Sequence, residues 1–495
     1  MSNRADACSI LHYALLLTPF FSISTAASNC SPRPVLSEIR NVSLPNANGQ
    51  QNRGIAFRVG TPGQELIFDP RWPTNNIHIY GSDYSGGCGI YSDTACPTMR
   101  GGLYVQRDST SAGAALGSTA AEEDDRMVPQ SHFISDVLSI DNQTSPPLPI
   151  GIQNTIAQNK IPHTPLHVLG LGDNSTVLQM LKDTEKIASR TWTKFNGWIG
   201  ADKEHQRDGY MLFGGYDRAK VLGTGHKIPI GKYNSNCRSR LRVFISDLGL
   251  NFPNGTYVSL HKFSLSRNLQ PFESCILPYY PLLLSMNNGN FFDRFMQAID
   301  LNSTEWSEGL VPDGRVIPLE KSLPDVNLTI SILSGPSITI PYHQLFLPQR
   351  DISETTGAVM ITGPEKILPI KEFTDNEFPI LGELFLSAAV VMANLDAGVF
   401  TIWEANQESN DQQLVAVDET GQEVTEFCEP ASATTPTSSP TNSPLGSENE
   451  STEASEPDRG AVIGIIVGSV VAVAMVVTAS SFSGVDIGGG KQRVQ

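Results

Sequence analysis

The sequence predicts a mainly β protein, long enough for a large core or two lobes, with a stalk and one membrane-crossing helix towards its C-terminal end. Three observations lead there. From about residue 28 to residue 428 the chain runs as short β-branched and aromatic segments, broken by Gly, Pro, Asn and Asp. Its composition, 40% hydrophobic and 17% charged with 42 Gly and 33 Pro in 495 residues, suits a β-rich globular protein better than a helical bundle or a disordered chain. After Cys428 the large apolar residues almost vanish, until an uncharged apolar run begins at Gly460.

Residues 1–27 read as a secretory signal. Arg4 is followed by an apolar stretch from Ser9 to Ser22, too short to span comfortably, and Thr25-Ala26-Ala27 offers small residues for cleavage. Strands are expected over Ile55–Val59, Tyr210–Phe213, Leu241–Ile245, Leu328–Ile332 and Val399–Trp403, and helices over Val177–Lys186 and Phe291–Ile299. Residues 431–459, rich in Ser, Thr, Pro and Glu, bury too little surface to fold and read as an extended stalk. Residues 460–480 have the length to cross a hydrocarbon core, leaving 481–495 as a cytoplasmic tail with Lys491 and Arg493 inside. Because the chain continues past the apolar run, a single-pass anchor is preferred to a lipid anchor. Gly460, Gly464 and Gly468 recur every fourth residue, a spacing that lets two such helices approach and dimerise.

The compartment follows from several weak signals together. Asn-x-Ser/Thr sequons stand at Asn41, Asn142, Asn174, Asn254, Asn302, Asn327 and Asn449, which makes them candidate glycosylation sites. With Cys8 removed in the signal, six cysteines remain, an even number that favours disulfides in an oxidising compartment. Six cysteines allow about fifteen pairings, and Cys88 with Cys96, close together and flanked by Gly and Ser, is the safest of them. A net charge of −17 repels phosphate backbones, so no nucleic-acid partner is expected. No zinc-type cysteine spacing, phosphate-binding loop or Gly-x-Ser-x-Gly elbow occurs, so no metal or cofactor is expected. His163 and His167 flank a Pro-containing segment and read as solvent-exposed.

One set of motifs is more specific. Val59-Gly60-Thr61-Pro62-Gly63-Gln64 leads through an apolar run into Asp69-Pro70-Arg71-Trp72-Pro73-Thr74-Asn75-Asn76-Ile77. Gly209-Tyr210-Met211-Leu212-Phe213-Gly214-Gly215-Tyr216-Asp217, Phe272-Glu273-Ser274-Cys275-Ile276-Leu277-Pro278, Ile338-Thr339-Ile340-Pro341-Tyr342 and Pro379-Ile380-Leu381-Gly382-Glu383-Leu384-Phe385 follow in order. This series resembles the pepsin-like aspartic protease family over roughly residues 50 to 405. It looks most like fungal-type members with degenerate catalytic motifs. The resemblance implies a bilobal pepsin-like acid-protease fold, with an N-terminal β lobe over 28–222 and a C-terminal β lobe over 223–430.

It also implies where two catalytic acids would stand. Counted without gaps from Gly60, the first acid's position falls on Arg71, and the second falls on Leu277. A working pair needs two carboxylates close enough to share one proton, so that one acts as base on water while the other donates to the substrate carbonyl. An Arg and a Leu cannot do this, and no Asp-Thr-Gly or Asp-Ser-Gly occurs anywhere in the chain. Asp69, two residues before Arg71, would need a slipped register to serve and otherwise reads as a surface or turn acid. The hairpin that covers substrate in the family carries a Tyr, yet none lies between Tyr104 and Tyr210.

The expectation is therefore a membrane-anchored, extracytoplasmic aspartic-protease-like protein without catalytic residues, at the cell surface or in the vacuole. Its cleft would keep the shape to bind extended peptide or glycan, with Arg71 favouring an acidic or C-terminal group. Two alternatives stay open: an active aspartic-type endopeptidase with an atypical dyad, and a cell-wall structural or adhesive glycoprotein.

Overall fold

The computed structural model describes residues 30–428 except 83–87, 89–90, 115–130, 142, 154–164, 201–203, 262–269, 302–304, 308, 319–321 and 374–376. The expected signal, stalk, apolar run and tail lie outside the described residues, as do Asn142, Asn302, Asn449 and residues 120–126, part of the stretch equivalent to the hairpin that covers substrate in the family. No helix among the described residues is long and apolar enough to cross a membrane.

The fold is mainly β. One large sheet runs from the strand Val221–Pro229 through Val399–Ala405, Ala389–Asn394, Thr191–Phe195, Gly209–Phe213, Val35–Ser43 and Gln51–Val59 to Gln64–Arg71 and beyond. Strands from both ends of the chain thus share it. A second sheet joins Ser337–Ile340, Asn327–Ile332, Arg242–Asn251, Phe272–Ile276, Ile380–Leu381, Leu284–Asn287 and Ile370–Phe373. Alternation explains the pairing of Gln51–Val59 with Gln64–Arg71. Ile55 stands opposite Phe68 and Phe57 opposite Leu66, and all four side chains are buried. Gly60, at φ +83°, turns the chain between them where a side chain would strike Ser109.

Both sheets contain the same four-strand motif. In the N-terminal half, Gln64–Arg71 runs parallel to His167–Gly170, which is antiparallel to Ile77–Tyr80, which is parallel to Leu148–Gln153. In the C-terminal half, Phe272–Ile276 runs parallel to Ile380–Leu381, which is antiparallel to Leu284–Asn287, which is parallel to Ile370–Phe373. In each case a strand drawn from far along the chain lies between two strands that are consecutive in sequence. The loops 72–76 and 277–283 therefore cross the ends of the inserted strands. The inserted strands end in like sequences, Val168-Leu169-Gly170 and Ile380-Leu381-Gly382.

Three disulfides staple this framework: Cys30–Cys428, Cys88–Cys96 and Cys237–Cys275. The first closes the two ends of the described chain, where Cys428 N–H also donates to the Ser31 carbonyl at 3.0 Å.

Several local expectations need correction. The strand expected over Leu241–Ile245 runs over Arg242–Asn251, carried past Ser246 by a register shift against Asn327–Ile332. His167 is not solvent-exposed. It is fully buried, its Nδ1 accepts the Tyr80 N–H at 3.1 Å, and burial, reinforced by the Arg100 charge, pushes its imidazole down to about 3. Asp69 is neither a surface nor a turn acid, because it lies within the strand Gln64–Arg71 with its side chain only 15% exposed.

Candidate functional site

The two four-strand motifs place Arg71 and Leu277 at corresponding points. Arg71 ends its strand opposite Gly170 of the inserted strand, and its carbonyl accepts the Leu171 N–H at 3.0 Å. Leu277 directly follows Phe272–Ile276, and its N–H donates to the carbonyl of Leu381 in the other inserted strand at 2.8 Å. Asp69 lies one pleat earlier, opposite Val168. The internal repeat therefore matches Arg71, and not Asp69, with Leu277.

The loops beyond these points touch. The Arg71 side chain is fully buried, and its guanidinium carbon lies 4.5 Å from the centre of the Tyr279 ring, itself buried. Such a contact is electrostatically favourable, because the ring face is negative. Trp72 packs beside Trp192 with ring centres 5.7 Å apart, and its indole N–H donates to the Ser239 carbonyl. Ser239 in turn donates through Oγ to the Ile276 carbonyl at 2.5 Å, beside the Cys237–Cys275 bridge. The residue after Arg71 is thereby hydrogen-bonded to the base of the second loop.

Beneath these rings lies a charged cluster. Lys194, on the strand Thr191–Phe195, is buried. Its ammonium donates to the Pro278 carbonyl at 2.8 Å and to Glu383 Oε1 at 3.1 Å, and stands 3.7 Å from Asp69 Oδ1. Burial pushes the Asp69 carboxyl up to about 7. Lys194 opposes that rise, Glu383 adds to it, and Arg71 opposes it. A lysine paired with two carboxylates offsets their mutual repulsion with its own charge.

A further contact between the halves lies beside the Cys88–Cys96 bridge. The hairpin of strands Leu347–Ile352 and Val359–Leu368 reaches the segment beside the Cys88–Cys96 bridge. Tyr91 donates to Asp351 Oδ1 at 2.7 Å, and Ser92 donates through Oγ to the Glu354 carbonyl at 2.7 Å and through its N–H to Glu354 Oε2 at 2.5 Å.

Of the expected site residues, the structure brings Arg71 to the second loop through Tyr279, and places Leu277 two residues before that ring. Arg71 is covered by Tyr279 and does not present an open cationic face to an acidic ligand. Cys88 and Cys96 are bonded to each other. Asn41, Asn174 and Asn254 are exposed and Asn327 is half-buried. Sequence reasoning missed Tyr279 and Lys194. A lone lysine inside the strand-like run Thr191-Trp192-Thr193-Lys194-Phe195 was the available signal for the second.

Comparison with known proteins agrees with the motif series. The chain is 26% identical over 385 residues to a probable aspartic-type endopeptidase, opsB, of Aspergillus fumigatus, covering 72% of this chain and 70% of that protein. No protein-family model matches. The similarity supports an aspartic-protease-like protein.

Proposed function

We propose that this is a non-catalytic aspartic-protease-like protein, carried by the secretory route and anchored through residues 460–480. The observation that carries the reading is the repeated four-strand motif with Arg71 and Leu277 at its two corresponding points. In an active relative of this architecture those points would hold the two acids. Here one holds a permanent cation and the other a side chain with no proton to exchange. Asp69 and Glu383 both pair with the Lys194 ammonium, at 3.7 Å and 3.1 Å. The relative's name speaks for proteolysis, and the chemistry of the centre speaks against it.

A second reading is a structural or adhesive glycoprotein that uses no ligand cleft. It is favoured by the contact of Arg71 with Tyr279 and by the Tyr91–Asp351 contact, which adds to the strand pairing that already joins the halves.

The deciding experiment is peptide hydrolysis by the full chain between about pH 3 and pH 7, with and without a statine-type transition-state analogue. The expected result is no cleavage by protein that is demonstrably folded. Inhibitable cleavage abolished by Asp69→Asn would overturn the reading in favour of a rebuilt dyad. Saturable binding of extended peptides or glycans without cleavage would support a working cleft over the structural reading.

A further inference from the structure

We propose that Asn254 carries an N-linked glycan whose first sugars lie against Phe252 and Thr256, so that the carbohydrate becomes part of the hairpin's fold. The proposal rests on the secretory reading above, and adds to it which acceptor is built into the structure and what the sugar does there.

The turn between Arg242–Asn251 and Tyr257–Ser259 is closed by two backbone hydrogen bonds. Gly255 N–H donates to the Phe252 carbonyl at 3.0 Å, and Phe252 N–H donates to the Thr256 carbonyl at 3.0 Å. With Pro253 at the second position and Gly255 at φ +82°, this is a type I turn followed by a one-residue glycine bulge. Asn254 sits at the third position, exposed, and its Oδ1 accepts the Thr256 N–H at 2.9 Å, which leaves the amide nitrogen pointing away from the backbone. Phe252 and Thr256 flank it, two residues away on either side. Phe252 packs against the core and is half-buried, and so is held in place beside the turn. The C–H face of a sugar suits such a ring, as any apolar face suits an aromatic one.

The other described sequons lack this arrangement. Asn327 uses its side-chain carbonyl to accept the Tyr342 N–H at 2.9 Å and lies in a strand paired on both sides. Asn41 and Asn174 are exposed, but the residues two before them are Ile39 and Gly172, not aromatic ones. Glycosylation at Asn254 would join its Nδ2 to the anomeric carbon of N-acetylglucosamine. The bond from that carbon to the pyrophosphate of a lipid-linked oligosaccharide breaks, and the amide gives up one proton.

The test is site-resolved mass spectrometry of the full chain made in a glycosylating eukaryotic host, paired with thermal unfolding. Asn254 is expected to be occupied. Asn254→Gln is expected to lower Tm by about 2 °C, a shift typical of one modest contact in a domain of this size. In a Phe252→Leu background the same substitution should lower Tm by clearly less, the remainder being the lost hydrogen bond from Thr256 N–H to Asn254, and comparing within that background removes any packing loss caused by the leucine itself. An empty Asn254 beside an occupied Asn41 or Asn174 would overturn the proposal while leaving the secretory reading intact. So would an undiminished Tm shift in the Phe252→Leu background. No sugar at any sequon would overturn both.

Discussion

The guanidinium of Arg71 lies over the ring of Tyr279, 4.5 Å from its centre, so that the ends of the two repeated motifs meet through a cation and an aromatic face. Both partners are buried, and each fills space the other would leave empty. Tyr279→Ala should therefore destabilise the protein by about 3 kcal/mol, the usual scale for truncating a buried aromatic. Restoring acids through the double change Arg71→Asp and Leu277→Asp should yield no peptidase, because the Tyr279 ring stays in the centre. Peptide hydrolysis and denaturant unfolding check the two halves of this expectation.

Asp69 gives the protein a pH dependence of definite sign. Its carboxyl is raised from 3.8 to about 7, chiefly by burial, so the folded state holds a proton that the unfolded state has released across that interval. The contribution is fully present below about pH 4 and is lost as pH rises towards 7. Tm measured from pH 4 to pH 7 should fall less steeply for Asp69→Asn than for the natural chain. Asp247, held down at about 2 by hydrogen bonds from Ser259 and Tyr257 and by the His261 ring 3.4 Å away, which together outweigh its burial, acts in the opposite sense, but only below that window.

Lys194 should be the most sensitive position of the charged cluster. Lys194→Met leaves Asp69 and the half-buried Glu383 without the ammonium they share, and removes the donor to the Pro278 carbonyl. Breaking a fully buried ion pair from one side costs about 3–5 kcal/mol, and the partial exposure of both carboxylates places the loss below that range. Adding Asp69→Asn to Lys194→Met should recover part of that loss, and a double-mutant cycle in urea would measure how much.

The contact beside the Cys88–Cys96 bridge is separable from the centre. Tyr91→Phe removes one hydrogen bond to Asp351 and should cost about 1 kcal/mol. Hydrogen exchange is expected to rise in the hairpin 347–368 and to stay unchanged in the strand Gln64–Arg71. Equal loss of protection in both would mean that the halves open as one unit.

What the sequence disclosed followed from composition. The strands at Gln51–Val59, Gly209–Phe213, Asn327–Ile332 and Val399–Ala405 each carry the β-branched or aromatic residues that a pleated sheet favours. What it concealed was long-range. His167-Val168-Leu169-Gly170 is buried on both faces and shows no alternation, so nothing local marked it as the strand inserted between two others. Asp69 looked like a turn acid because its neighbour Lys194 lies 125 residues further along the chain. The equivalence of Arg71 and Leu277 could be proposed by counting from Gly60, yet the repeat that matches them exists only in the pairing of strands. Tyr279 was not legible because no rule of spacing says which ring will cover a buried cation more than 200 residues away.

The bond between Cys30 and Cys428, with Cα atoms 4.8 Å apart, makes the folded region a closed loop that is entered and left at one point. Its mechanical consequence is simple. Tension drawn through the segment after residue 428 would reach the N-terminal end through sulfur before it reached any strand. A molecule tethered by that segment would carry load on a covalent link, and its sheets would not be peeled apart one hydrogen bond at a time.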